Sequence, residues 1–191
     1  LARRRLGISA MPVLSDVLDP QQVADLVAYL GSKKKGFSFS KEKDRIELRL
    51  DGRKITDYLL DHPKLTRRGF VNVRTLGGIQ VTRAFPTAGD DNDHALMHPG
   101  LWMGFGHLDG QDYWRLKARV DHDGFVQDPT VAVDEASFAV RNRYLTEDGK
   151  AESCREIARY RFLRRGAGIV LLWDSEFRND ERDFYFGDQE E

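Results

Sequence analysis

Three imidazoles, two indoles and three carboxylates fall within Asp93–Trp114, DHALMHPGLWMGFGHLDGQDYW, where the chain is densest in groups that move protons or stack on flat ligands. His94 and His98 have the H-x3-H spacing that, on a helical turn, puts both rings on one side and suits zinc. Pro99-Gly100 and the flanking Asp and Asn favour a loop instead, which scatters the rings, so no metal role is expected. Asp91 and Asp93 are near enough in sequence to orient a histidine through a ring N–H, as a general base requires. His94, His98 and His107 are therefore candidates for proton transfer, with His122 able to close the same pocket from a later strand. Asp93, Trp102, Asp109, Tyr113, Trp114 and Arg119 are candidates for ligand contact, the aromatic rings offering faces to a sugar. A structural reading stands beside this one: the polar side chains bond their own turns, and Gly104, Gly106 and Gly110 serve backbone geometry alone.

The elements that must position these residues change period along the chain. Asp19 can cap a helix that has Pro20 at its first position and Gln22 three residues after the cap. Leu18 and Val23 have hydrophobic-staple spacing, and Val23, Leu26, Val27 and Leu30 share one face before Gly31. Lys33-Lys34-Lys35, between glycines, reads as a linker, so the expected division is 1–35 and 36–191.

From Phe37 the period is 2. Ile46, Leu48 and Leu50, then Asp51-Gly52, then Arg53–Leu60 predict a hairpin. Val71–Thr82 predicts a second one around Gly77-Gly78. Val131–Leu145, Ala151–Leu163 and Ile169–Trp173 predict an antiparallel meander, with Phe184–Phe186 as a last short strand. Within it Ile157, Tyr160, Phe162, Val170 and Leu172 are expected to supply the apolar face, Arg155, Glu156, Arg159 and Arg161 the exposed charges, and Trp173 a core aromatic. The expected fold is mainly β, an antiparallel β-sandwich with a short N-terminal α-helix.

Composition removes some function classes. Thirty basic and 31 acidic residues give a net charge of −1, so no global field favours nucleic acid or an anionic membrane. Cys154 is the single cysteine, which excludes an internal disulfide, a multi-cysteine metal site and the C-x-x-C-H haem attachment within this sequence. No apolar run approaches the ~20 residues that span a bilayer as a helix. The start at Leu1, with Arg3-Arg4-Arg5 and no Met, reads as an internal fragment of a longer protein.

Two resemblances add to this. Met11-Pro12 followed by the capped helix ending Leu26-Val27-Ala28-Tyr29-Leu30 looks like the last third of a class I cytochrome c domain. That likeness would make Met11 the distal ligand of haem c in a longer parent, with no cofactor held by this chain. Further on, Asp93-His94, then His98-Pro99-Gly100-Leu101-Trp102-Met103, then Gly106 through Asp109-Gly110-Gln111-Asp112-Tyr113-Trp114, resembles the bacterial family catalogued as methane oxygenase PmoA, over Tyr58 to Gly187. Met97 and Pro99 depart from that family's His-His-Arg-Gly-Leu-Trp, removing the histidine pair. Oxygenase chemistry is not carried over, since a copper or di-iron centre needs a dense ligand set.

The resemblance implies a mutarotase-like supersandwich, incomplete at Glu191, and export to the periplasm or outside the cell. The co-location of aromatic and titratable side chains in Asp93–Trp114 points to a carbohydrate-binding or carbohydrate-active role. Two alternatives stay open: an electron-transfer-linked module of a cytochrome fusion, and a non-catalytic interaction module. Whether the protein is an enzyme, and its oligomeric state, are not set by the sequence.

Overall fold

The computed structural model describes residues 17–32, 36–86 and 94–187. The chain divides into two compact units on either side of Lys34–Lys35. In the first, α1 (Pro20–Ser32) begins on a reciprocal capping box: the Gln22 amide donates to Asp19 Oδ1 at 2.8 Å, and the Asp19 amide donates to Gln22 Oε1 at 2.9 Å. Met11 lies outside the described residues.

The second unit is mainly β, in two antiparallel sheets. The first holds β1 (Phe37–Lys41), β2 (Arg45–Leu50), β3 (Arg53–Leu59), β4 (Gly69–Val71) and β5 (Gly100–Trp102), side by side in chain order. The second holds β6 (Val120–Val131), β7 (Glu135–Leu145), β8 (Glu152–Arg165) and β9 (Gly168–Arg178), also in chain order. A single helical turn, α2 (His94–Met97), precedes β5. The β2–β3 hairpin turns where predicted, with Asp51 at φ 53° and Gly52 at φ 80°, the left-handed pair that a tight hairpin turn demands.

The sheets face each other across the main core. Ile46, Leu48, Tyr58 and Phe70 from the first meet Phe138, Val140, Tyr160 and Phe162 from the second. The rings pack edge to face, with 5.2 Å between Tyr58 and Phe138 and 4.9 Å between Phe70 and Tyr160. A smaller cluster of Leu108, Tyr113, Tyr144 and Cys154, flanked by Phe105 and Phe177, continues the core toward one end. At one corner, Asp51 Oδ1 accepts from the Gly36 amide at 3.1 Å while Arg164 Nη1 reaches Asp51 Oδ2 at 2.8 Å, joining β8 to the β2–β3 turn.

Several local expectations need correction. Val71 belongs to β4, paired on both sides, and the proposed hairpin after it narrows to one bridge between Arg74 and Gln80. The strand expected to carry His122 is β6, but its length is not legible because Gly124, Pro129 and several aspartates interrupt its apolar pattern, and its pairing with β7 slips at three places. Phe184–Phe186 forms no strand; Phe186 makes a single bridge to Leu108. On β8 the inward row is Cys154, Glu156, Ala158, Tyr160 and Phe162, so Ile157 lies with the outward arginines and Glu156 is buried. On β9 Ile169 and Leu171 pack on the core, whereas Val170 and Leu172 are exposed. Trp173 packs on the core against Phe70 and Tyr160.

Candidate functional site

The loop that carries most of the candidate residues is held by two glycines and one arginine. Gly100 crosses Phe70 so closely that a Cβ there would lie 1.9 Å from the Phe70 carbonyl oxygen. A Cβ on Gly104 would lie 1.9 Å from Trp102 Cζ3. Only a residue without a side chain lets the indole lie on its own loop in this way. Over the Trp102 ring, 3.1 Å from its centroid, sits the Arg67 guanidinium.

Arg67 is 1% exposed, and among the described residues no carboxylate pairs with it. Backbone carbonyls take that place: Nη1 donates to Trp114 O at 2.7 Å, and Nη2 donates to Met97 O. Burial pulls its pKa down to about 9, which leaves it charged at neutrality. The guanidinium thus ties the end of α2, the Trp102 ring and the Tyr113–Trp114 segment together. The sequence signal for it was slight, since nothing separates Arg67 from other arginines until its burial is known.

Around Trp102 the rings form a small patch. Trp114 lies 4.9 Å away, and His98 lies 6.2 Å from Trp102 and 5.8 Å from Trp114. Both indoles are half-buried and His98 is exposed. The Trp102 ring, taken by Arg67 and Gly104, is not free to stack on a sugar as expected. Asp93 lies outside the described residues, as does the side chain of His94, whose backbone starts α2.

The other candidates lie elsewhere. His107 packs against Tyr185 at 5.4 Å and beside Gly187, and its carbonyl accepts the Gly187 amide at 2.8 Å. Asp109, at the tip of a turn, is bonded by Arg182 through both carboxylate oxygens. Tyr113 is 1% exposed and its hydroxyl donates to Leu145 O at 2.9 Å, which makes it a core residue and corrects its assignment to a ligand. The expected gathering of histidines around Trp102 is therefore limited to His98 among the described side chains.

His122 and Arg119 instead meet in a second place, an open hollow of about 560 Å³ where the start of β6 lies near the end of β3. Leu60, Asp61, Arg68, Asp121 and Phe125 contribute to its walls. His122 sits edge-on to Phe125 at 5.2 Å. Burial, then the nearby Arg68 and Lys41, hold the His122 pKa below the ordinary 6.5 against the opposing pull of Asp123, so the ring is neutral at pH 7. Arg68 is 6% exposed and donates Nε–H to Val120 O at 2.9 Å. Its two ion pairs are long, 3.7 Å from Nη2 to Asp61 and 3.9 Å to Asp121. Arg67 and Arg68, consecutive at the entry to β4, thus serve different neighbours, the first the aromatic patch and the second the hollow.

Behind the hollow a polar row crosses the inner face of the second sheet. His122 is the cross-strand partner of Asn142, and Asn142 of Glu156. Glu156 accepts from Asn142 Nδ2 at 2.9 Å, from Ser175 Oγ at 2.6 Å and from the Tyr144 hydroxyl at 3.3 Å. Trp173 Nε1 donates to Ser175 Oγ at 2.9 Å. Burial raises the Glu156 pKa above the ordinary 4.5 despite these donors. Among the described residues, no three His, Cys, Asp or Glu side chains are grouped to hold a metal ion.

Comparison with known proteins corrects the expected kinship. A family model matches residues 45–191, and it is neither PmoA nor cytochrome c. With that correction goes the distal haem-ligand role of Met11, which rested on the cytochrome likeness alone. No curated protein and no solved structure matches the chain. Over the whole β-unit from β2 onward, including the aromatic patch and the hollow, the chain belongs to DUF6807, a family of unknown function.

Proposed function

We propose that the β-unit is a carbohydrate-binding domain, with its ligand seated in the hollow at the start of β6. The observation that carries this reading is the make-up of that concavity: the rings of His122 and of Phe125, which has Lys41 over it, beside the carboxylates of Asp61 and Asp121 and the guanidinium of Arg119. Sugars present alternating apolar C–H faces and hydroxyl rims, and a concave site with a few placed polar groups matches both. Arg119 Nε donates to Asp121 Oδ1 at 2.6 Å, and this pair holds a guanidinium and a carboxylate side by side in the wall of the hollow. His122, neutral near pH 7, supplies a proton acceptor should the bound sugar also be turned over.

The test is an array of immobilised glycans probed with the full chain and with its Arg119→Ala variant. Arg119 is exposed, so its loss leaves the fold in place. Retention of one glycan class, weakened about fivefold or more in the variant as expected for a lost charged hydrogen bond, supports the reading. Retention of none, at high loading, removes it and favours a non-catalytic docking module.

A further inference from the structure

We propose that the inner end of the hollow is an anion subsite built on Arg68, and that the bound sugar is acidic, carrying a carboxylate. This rests on the carbohydrate reading for the sugar, but not for the anion. Around this buried charge the set of partners is incomplete. Arg68 is 6% exposed, yet its Nη1 has no hydrogen-bond partner. A buried guanidinium with an unpartnered Nη1 and only long ion pairs, 3.7 Å to Asp61 and 3.9 Å to Asp121, is costly to maintain. The carboxylates nearby do not fill the gap. Asp121 is engaged by Arg119 at 2.6 Å, Asp123 by Arg141 at 2.5 Å, and Asp61, 70% exposed, stays 3.7 Å away.

The surroundings are cationic as well. Lys41, Lys43, Arg119 and Arg143 line the same hollow, and Lys41 lies over the Phe125 ring at 4.1 Å. His122 adds a second unfilled position, for its buried Nδ1 has no partner, and neither has Oδ1 of its cross-strand neighbour Asn142. A planar carboxylate can take two parallel N–H donors from a guanidinium fork, a geometry that a neutral hydroxyl does not reproduce. Nη1 is sealed beneath the wall of the hollow, so a turn of the Arg68 side chain brings it to the ligand.

The arrangement also sets a pH response. In the free protein, His122 faces Arg68 and Lys41, which oppose its protonation, and Asp123, which favours it. Lys43, Arg119 and Arg143 are further cations around the hollow, with Asp61 and Asp121 the remaining acids, and Glu156 is reached through Asn142. A bound anion adds negative charge and raises the His122 pKa. Binding therefore takes up a proton, and affinity grows as pH falls through the pKa of the complex.

Calorimetric titration of the full chain at constant ionic strength, near pH 6 and near pH 8, with glucuronate, glucose and acetate separates the possibilities. We expect glucuronate to bind at least about tenfold more tightly than glucose, the scale of one charge-assisted fork. Its affinity should be higher at the lower pH. Arg68→Lys, which keeps the charge but loses the fork, should remove most of that preference. His122→Gln, a variant independent of the buried arginine, should flatten the pH dependence while the far-ultraviolet dichroism stays unchanged.

Equal affinity for glucose and glucuronate, unaltered by Arg68→Lys, would overturn the anion subsite and leave the carbohydrate reading. Glucuronate and acetate binding equally, both dependent on Arg68, would keep the subsite and overturn the sugar. Absence of binding by all three overturns both.

Discussion

Arg67 is the residue on which the aromatic patch depends, because its donors end on carbonyls from two separate segments and its plane lies on Trp102. Replacing it with Met removes a buried cation and takes a donor from the carbonyls of Trp114 and Met97. A loss of about 3 kcal/mol in urea unfolding is expected, from about 1–3 kcal/mol for each buried acceptor left unpaired. Arg67→Lys should recover less than half, since one ammonium cannot span the positions that the planar fork reaches. A loss below about 1 kcal/mol in Arg67→Met would mean that the carbonyls find other donors, and the clamp would not exist.

The dense stretch from Asp93 to Trp114 marked the right neighbourhood for the aromatic patch, but closeness in sequence did not make one pocket of it. His107 and Tyr113 are carried to the Tyr185 and Tyr144 side of the unit, while His98 stays by the indoles. Arg68, on which the hollow turns, had no local pattern to mark it, because its importance comes from burial against β6, far along the chain.

Among the elements, β8 gives the clearest case of a pattern misread for a physical reason. Its charges alternate as in a half-exposed strand, and Glu156 was assigned outward with its arginine neighbours; parity instead puts it inside, where Asn142, Tyr144 and Ser175 replace water as donors. The hairpins and the overall class were legible because period-2 alternation and the Asp51-Gly52 turn are local signals. The length of β6 beyond His122 was not, since its bulges break that alternation.

The buried acid has a thermal consequence. The folded-state pKa of Glu156 is raised above 4.5, so the folded chain holds this proton more tightly than the unfolded one. Its contribution is fully present below that value and is lost as pH rises through the window above it. Glu156→Gln abolishes the titration, and Asn142 Oδ1, unpartnered at present, can accept from the new amide after a flip. The variant is expected to melt higher than the parent near pH 8, with the gap closing toward about pH 4. A gap independent of pH would locate the raised pKa elsewhere. His122 acts in the opposite sense, its depressed pKa giving stability that is complete above 6.5 and declines as pH falls through the window below.

At the scale of the molecule, the β-unit has one main core between its sheets and two smaller clusters, one of which includes Cys154, 0% exposed. Burial, with Glu156 and Asp109 nearby, pushes the Cys154 thiol up to about 12, and a thiol so protonated and sealed is unreactive. An aromatic disulfide reagent should therefore leave the native protein unmodified and react fully once urea unfolds it, so that labelling tracks opening of the core. Rapid labelling of native protein would reveal that the cluster around Cys154 opens without the rest.

Because each sheet is laid out in chain order, every strand hydrogen-bonds only to those made just before or after it. The first ladder can close as soon as residue 102 has left the ribosome, before β6 has followed it out. Until β7 and β8 are synthesised, Ile46, Leu48, Tyr58 and Phe70 have no opposing layer. That interval, rather than the finished sandwich, is when the nascent chain is most open to self-association and to chaperones.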